Sequence, residues 1–256
     1  MTKEKTIVIE LVRALARELK MPSVARGVEQ LIRDAEKEKW SYAELLNETL
    51  AGEVASRNTS SVRTRIAEAH FPEHKTLDDF DFKLADGIEQ AQIVELGKCA
   101  FVDRHESLVF VGPVGTGKTH LAIAIGIEAA KLRKRVAFFR AADLVRQLIE
   151  AKDKHELGRL ERKLQRVDVL ILDELGFVPF DRQGGELLFN IFSQRHQRRS
   201  SIVTSNLAFS EWPTVLGGDE KLAAALLDRL AETATVVTTK GKSFRMRRRA
   251  AADKKS

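Results

Sequence analysis

At 256 residues, 43% hydrophobic and 31% charged, the chain has the composition of an ordinary soluble globular protein, long enough for one sizeable α/β core plus a small accessory domain. Its single cysteine, Cys99, excludes an internal disulfide and a cysteine-based metal cluster, and no apolar run reaches the length of a bilayer span, a pattern consistent with a reducing cytoplasm. The formal charge of +6 is uneven: residues 240–256 carry eight Lys/Arg against one Asp, a local +7 that leaves −1 for residues 1–239.

In chain order, Lys3 and Lys5 precede an apolar stretch that Glu10 and Arg13 interrupt, which argues against a signal peptide. Ile7, Val8, Leu11, Val12, Leu15 and Leu19 recur at helical spacing. So do Val24, Val28, Leu31, Ile32 and Ala35, and Pro22 between the two runs suits a first helical turn. Ser41, with Glu44 three residues on, forms a capping box for a third helix whose apolar face uses Leu45, Leu46 and Leu50. A small helical domain of about three helices is expected over residues 1–70. Apolar content drops from Arg57 to Lys75, and Pro72 with the acidic stretch after it reads as a linker, so the boundary is placed near residues 68–80.

Beyond it, short β-rich runs alternate with helical segments, the pattern of a parallel sheet. Strands are expected at Ser107–Val111, Val136–Phe139, Val167–Leu172, Ser201–Thr204 and Thr235–Thr238, with helices beginning near Gly117, Ala142, Gly184 and Asp219. The second domain then covers residues 71–240 and a basic tail covers 241–256. Such a tail either binds phosphate backbones without sequence preference or is a solvated terminus.

Gly112-Pro113-Val114-Gly115-Thr116-Gly117-Lys118-Thr119 matches the complete P-loop pattern, with His120 next, and lies between an expected strand and an expected helix. The glycines let backbone N–H groups converge on phosphate oxygens, and the helix N-terminus favours the same anion. Lys118 is assigned to the β- and γ-phosphates of ATP and the Thr119 hydroxyl to Mg²⁺. Asp173 and Glu174 follow the apolar run Val169-Leu170-Ile171-Leu172. Two acids there can simply end a buried strand, but beside a P-loop they suit a Mg²⁺ ligand (Asp173) and a general base for water (Glu174). Asn206 closes the next strand, where it is either an ordinary turn residue or a group that orients the lytic water.

These residues resemble the AAA+ ATPases of the insertion-sequence helper group, the IstB-like transposition proteins related to the DnaC helicase loaders. The resemblance rests on residues 76–82, 117–122, 173–176, 181–184, 204–207, 209–212, 228–230 and 240–245, with Lys242 and Phe244 standing where the family usually has Glu and Tyr. It implies a five-stranded ASCE-type sheet preceded by a helical domain, with Asn206 as sensor 1 and Arg229 as an arginine finger acting on a neighbouring subunit. After Leu230 only one expected strand and the basic tail follow, so a minimal or absent helical lid is expected. The resemblance further implies an ATPase that oligomerises on double-stranded DNA and hands it to a transposase. A replicative helicase loader preferring single strands is the alternative. A small-molecule kinase also uses a P-loop, but the adjacent Asp173-Glu174 pair suits water activation and no acceptor site is recognisable. Arg57, Arg63 and Arg65 are expected DNA contacts; Arg195, Arg198 and Arg199 form a second cluster whose place at a helix C-terminus also suits a structural role.

Overall fold

A computed structural model describes residues 3–241, 243 and 244. The chain divides into two compact units, Met1–Thr64 and Arg65–Ser256.

The first unit is helical: α1 (Lys3–Glu18), α2 (Pro22–Glu38) and the amino-terminal part of α3 (Tyr42–Glu68). Its apolar core joins Ile9 and Ala16 of α1 to Val24 and Val28 of α2. This differs from the expected face, because Ile7, Val8, Leu11, Leu15 and Leu19 are exposed. Helix α1 carries a second, narrower apolar stripe through Ile9, Val12 and Ala16, and the small Ala16 allows close approach to α2. Leu46 and Leu50 of α3 are also exposed, because α3 docks through a charge. The buried Glu53 carboxylate accepts from the Ser23 and Val24 amides at 2.8 and 3.2 Å, in the first turn of α2. Met21, the N-cap of α2, offers no side-chain acceptor, so Glu53 supplies the missing anion. Arg57 holds that carboxylate at 3.1 Å and donates to the Lys20 carbonyl at 2.7 Å. The capping box forms as expected, Ser41 N–H to Glu44 at 2.6 Å and Glu44 N–H to Ser41 Oγ at 3.3 Å. Helix α3 runs through the stretch where apolar content falls, ending at Glu68, since no proline intervenes before Pro72.

The second unit continues with α4 (Gln90–Gly97), α5 (Ala100–Asp103), β1 (Ser107–Val111), α6 (Lys118–Lys131), β2 (Val136–Arg140), α7 (Ala141–Asp153), α8 (Leu157–Gln165) and β3 (Val169–Leu175). It ends with α9 (Arg182–Arg195), β4 (Ser200–Ser205), α10 (Trp212–Val215), α11 (Glu220–Thr233) and β5 (Ala234–Thr238). The five strands form one parallel sheet in the order β2-β3-β4-β1-β5. Strand residues alternate between two cores, as a sheet covered on both faces requires. Leu108, Phe110, Val169, Ile171 and Ile202 pack beneath α6 with Ile93 and Phe101. Val109, Leu170, Leu172 and Val203 pack against α7, α9 and α11. Phe71, Leu77, Phe80 and Phe82, in the stretch read as a linker, pack on the first of these cores.

The five expected strands are all present, but β3 extends to Leu175 and takes Asp173 and Glu174 into the sheet. Helices α4, α5, α8 and α10 have no counterpart in the sequence reading: they are four to nine residues long, too short to show a helical period. No helix among the described residues is long and apolar enough to cross a membrane. Most of the basic tail, and the place where a carboxy-terminal lid would stand, lie outside the described residues.

Candidate functional site

Parallel strands deliver their carboxyl ends, and the loops that follow, to one edge of the sheet. Three such ends build the site: β1 leads into the P-loop, β3 carries the two acids, and β4 lies between them. The P-loop backbone is folded by glycines in the left-handed half of conformational space, Gly112 (φ 147°), Gly115 (φ 80°) and Gly117 (φ 96°). Side chains are excluded there for space as well. A Cβ on Gly112 would stand 2.2 Å from the Thr239 carbonyl oxygen, and one on Gly117 2.5 Å from the Phe80 ring. The Thr116 hydroxyl pins the loop to the residue that follows β5 through a 2.6 Å hydrogen bond with Thr239.

Lys118 is buried at the foot of the loop, its ammonium donating to the Gly112 and Pro113 carbonyls, both at 2.7 Å. Burial pulls its pKa below the ordinary lysine value, and Asp173 and Glu174 act in the opposite direction. Thr119, in the first turn of α6, donates to Asp173 Oδ1 at 2.8 Å. The same carboxylate oxygen accepts from the Thr204 hydroxyl at 2.5 Å, and Thr204 in turn accepts the Glu174 N–H at 2.9 Å. A chain of hydrogen bonds thus ties the P-loop helix to both acids.

The two acids differ in setting. Asp173 is 3% exposed and fixed by two hydroxyls. Glu174 has a side-chain exposure of 48% and sits at an irregularity of β3, where the pairing register to β4 shifts. Its φ of 59° is the left-handed conformation, which costs a non-glycine residue about 1–2 kcal/mol. That backbone turns its side chain into the cleft, where Glu174 Oε2 lies 3.9 Å from Arg140 Nε at the end of β2.

The cleft itself is about 370 Å³ and takes in Gly115 to His120, Asp173, Glu174 and Arg140 on its polar side. Phe80, Leu84, Ala85, Ile123 and Phe244 supply its apolar lining. His120 closes one side, its Nε2 at 2.8 Å from the Thr76 carbonyl oxygen and its ring edge-on to Phe80. Pro113 and Val114 are exposed at the tip of the loop.

Two residues with expected roles stand elsewhere. Asn206 follows β4 directly but is not among the residues lining the cleft. Arg229 is turned onto α9, its guanidinium bonded to Ser193 and 4.5 Å from the centre of the Phe189 ring. It does not reach the cleft of its own chain. In the second arginine cluster, Arg195 is buried, donating to the Leu164, Val167 and Ser200 carbonyls at 2.8, 3.1 and 2.5 Å. It ties α9 to the end of α8 and has no surface to offer. Arg57 is engaged with Glu53 and Lys20, whereas Arg63 and Arg198 are exposed.

Sequence reasoning assigned no role to Thr204, Arg140 or Phe80. Thr204 has the best signal: in a strand buried on both faces, a polar residue needs a partner, and the strand beside it ends in two acids. Arg140 and Phe80 reach the cleft only through the fold.

The sequence as a whole matches the family described as IstB-like ATP binding protein over residues 14–252. It is 38% identical over 229 residues to the insertion sequence IS21 ATP-binding protein of Pseudomonas aeruginosa, covering 90% of this chain and 86% of that one. The fold is similar to the crystal structure of the DnaC helicase loader (TM-score 0.54, 23% identity), covering 64% of this chain and 96% of that one. It is also similar to the replication initiator DnaA bound to AMPPCP and single-stranded DNA (TM-score 0.54, 24% identity), covering 65% and 50% of the two chains. The structural likenesses are of fold, an AAA+ sheet with its P-loop at the carboxyl edge, while the sequence match runs through both units. The chain belongs to the IstB-like ATP binding protein family.

Proposed function

We propose that the chain is a Mg²⁺-dependent ATPase of insertion-sequence transposition, acting in the cytoplasm. In this reading it assembles with further copies of itself on double-stranded target DNA and passes that DNA to the transposase of the same element. The observation that carries the ATPase reading is the hydrogen-bonded run Thr119–Asp173–Thr204–Glu174 at the mouth of the P-loop cleft.

The residues fit ATP and its metal. Thr119 Oγ1 and Asp173 Oδ1, 2.8 Å apart, are oxygen donors of the kind a hard cation takes. The three glycines hold the loop in a left-handed backbone packed closely on Thr239, Ser243 and Phe80, the kind of loop whose N–H groups receive phosphate oxygens. The lining around Phe80 and Ile123 suits the flat apolar face of a purine. Mg²⁺, when bound, would neutralise charge on the β- and γ-phosphates. Lys118 exchanges its two carbonyl acceptors for phosphate oxygens and holds the transferred group in place. Glu174 accepts a proton from the attacking water as that water's oxygen bonds to the γ-phosphorus and the bond to the β,γ-bridging oxygen breaks. Thr204 is a positioning residue, setting the Glu174 backbone through its amide. Asn206, next after β4, orients the water once the segment following that strand turns into the cleft, and Arg229 completes the cleft of the next subunit after leaving its Ser193 partner. A site completed by a neighbour makes hydrolysis a property of the assembly.

The likeness of fold to a helicase loader supports the second reading, a loader preferring single strands. Fluorescence anisotropy of labelled duplex and single-stranded DNA, each with ATP–Mg²⁺ and without nucleotide, separates the two. Tight ATP-dependent binding that prefers the duplex is the expected outcome. Single-strand preference would favour the loader, and no binding to either would refute both.

A further inference from the structure

The edge of the sheet opposite the nucleotide cleft is formed by the segments that lead into the parallel strands, and it is strongly basic. Lys131, Arg133, Lys134 and Arg135 enter β2, Arg166 enters β3, and Arg198 and Arg199 enter β4. These three strands are adjacent in the order β2-β3-β4, so the segments lie side by side at a spacing of about 5 Å. Their contact is direct: the Asp168 amide donates to the Arg135 carbonyl at 2.8 Å, and the Ser200 amide donates to the Asp168 carbonyl at 3.1 Å. Two carboxylates lie among them: Asp168, 3.4 Å from Arg135 and 3.9 Å from Arg199, with its ionised form favoured there, and Glu128, 2.8 Å from Lys131. Against the seven cations named, these two acids and Asp103 leave the edge in excess positive charge. Arg166 and Arg198 are exposed and make no ion pair among the described residues. Toward β1 the excess ends, since Asp103 pairs with Lys134 and Glu106 with Arg104.

Residues 1–239 sum to −1, so this concentration is a polarisation of a nearly neutral body and not the overflow of a basic protein. Opposing like charges persist on a folded surface when a polyanion uses them. A single exposed apolar side chain, Leu132, accompanies the arginines, too little for insertion into a lipid surface.

We propose that this amino-terminal edge of the sheet, centred on Arg166 and Arg198, is the surface that docks the phosphate backbone of duplex DNA. The proposal rests on the reading that the chain binds DNA, and adds where. Contacts by exposed arginines to phosphates carry no base information, so binding through this edge is independent of sequence and steep in salt. It also places the duplex at the far end of the strands from Lys118 and Glu174.

The test is anisotropy of a labelled duplex against the full chain and its Arg166→Glu/Arg198→Glu variant, with ATP–Mg²⁺, over a salt series. DNA-free phosphate release and the thermal melt should match the unsubstituted chain. Each lost phosphate contact lowers affinity by roughly tenfold near 0.1 M salt and flattens the log–log salt slope by about 0.9. The double variant should therefore bind on the order of a hundredfold more weakly, with a slope shallower by about two. The milder Arg166→Gln/Arg198→Gln pair should fall between. Unchanged duplex affinity and slope in both variants, with the parent chain binding normally, would overturn the location and leave DNA binding intact. Failure of the parent chain to bind duplex would overturn the DNA reading together with the location. Loss of binding to anionic lipid vesicles, with duplex binding kept, would assign the edge to membranes and also overturn the proposal.

Discussion

Replacing Thr204 by valine keeps the shape of a fully buried side chain and removes the hydroxyl that links the two acids. Thr204 is 1% exposed, so water cannot take its place. The variant loses a hydrogen bond to the Asp173 carboxylate, worth about 1.5–3 kcal/mol, and leaves the Glu174 amide without its acceptor, a cost of about 1–3 kcal/mol. The two losses share one atom, so the combined effect is set at roughly 2–4 kcal/mol. For a unit of this size that lowers the melting temperature by on the order of 10 °C. The kinetic effect is separate. Glu174 holds a φ of 59°, and its amide bond to Thr204 is part of what keeps it there. Relaxation of that backbone displaces the carboxylate proposed as general base, and a misplacement near 1 Å costs about a hundredfold in rate. Differential scanning fluorimetry and steady-state phosphate release measure the two effects independently. Thr204→Ser restores the hydroxyl and should recover most of the rate while losing a buried methyl. Wild-type melting and turnover in Thr204→Val would refute the linkage as the device that positions the base.

Lys118→Ala should weaken ATP binding by more than a hundredfold in a fluorescent-nucleotide titration, because the phosphates lose their buried cation. Arg195→Met should cost about 3–5 kcal/mol in denaturant unfolding, since the Leu164 and Ser200 carbonyls are left buried without donors, and DNA affinity should be untouched in protein that stays folded. Burial of Glu53 raises its pKa, but Arg57 and the two α2 amides outweigh burial and leave it below the ordinary glutamate value. A depressed carboxylate stabilises the fold above its unfolded pKa and loses that contribution as pH falls through the folded one. Helicity of the amino-terminal unit should therefore decline below about pH 4.3, and Glu53→Gln should flatten that dependence in circular dichroism.

The candidate site was legible as a motif because most of its residues are local in sequence. Eight consecutive residues fold the phosphate cradle, and Val169–Leu172 announces a buried strand whose end must be polar. The parallel sheet was legible for the same reason, each strand being a short apolar run with its own signal. What escaped depends on partners distant in sequence. Thr204 matters through Asp173 and Glu174, Arg140 through the pairing of β2 with β3, and Phe80 through its approach to Gly117. In α1 the pattern misled, because two apolar stripes compete on one helix and periodicity cannot say which is buried. Its other stripe, Ile7 to Leu19, is left exposed. Arg195 has the structural role that its place at a helix end suggests, but by a route the sequence does not show: its five donors make it a buried clamp for carbonyls of other elements.

The central claim, that ATP held in this cleft controls assembly on DNA, is tested most directly with Glu174→Gln. That variant keeps Lys118, Thr119 and Asp173 for binding and removes only the proton acceptor. Sedimentation velocity of the variant with duplex DNA, with and without ATP–Mg²⁺, should show a large complex that forms only with ATP and persists for hours, while the parent chain's complex decays as phosphate is released. Equal sedimentation with and without ATP, or decay of the variant's complex at the parent's rate, would contradict it.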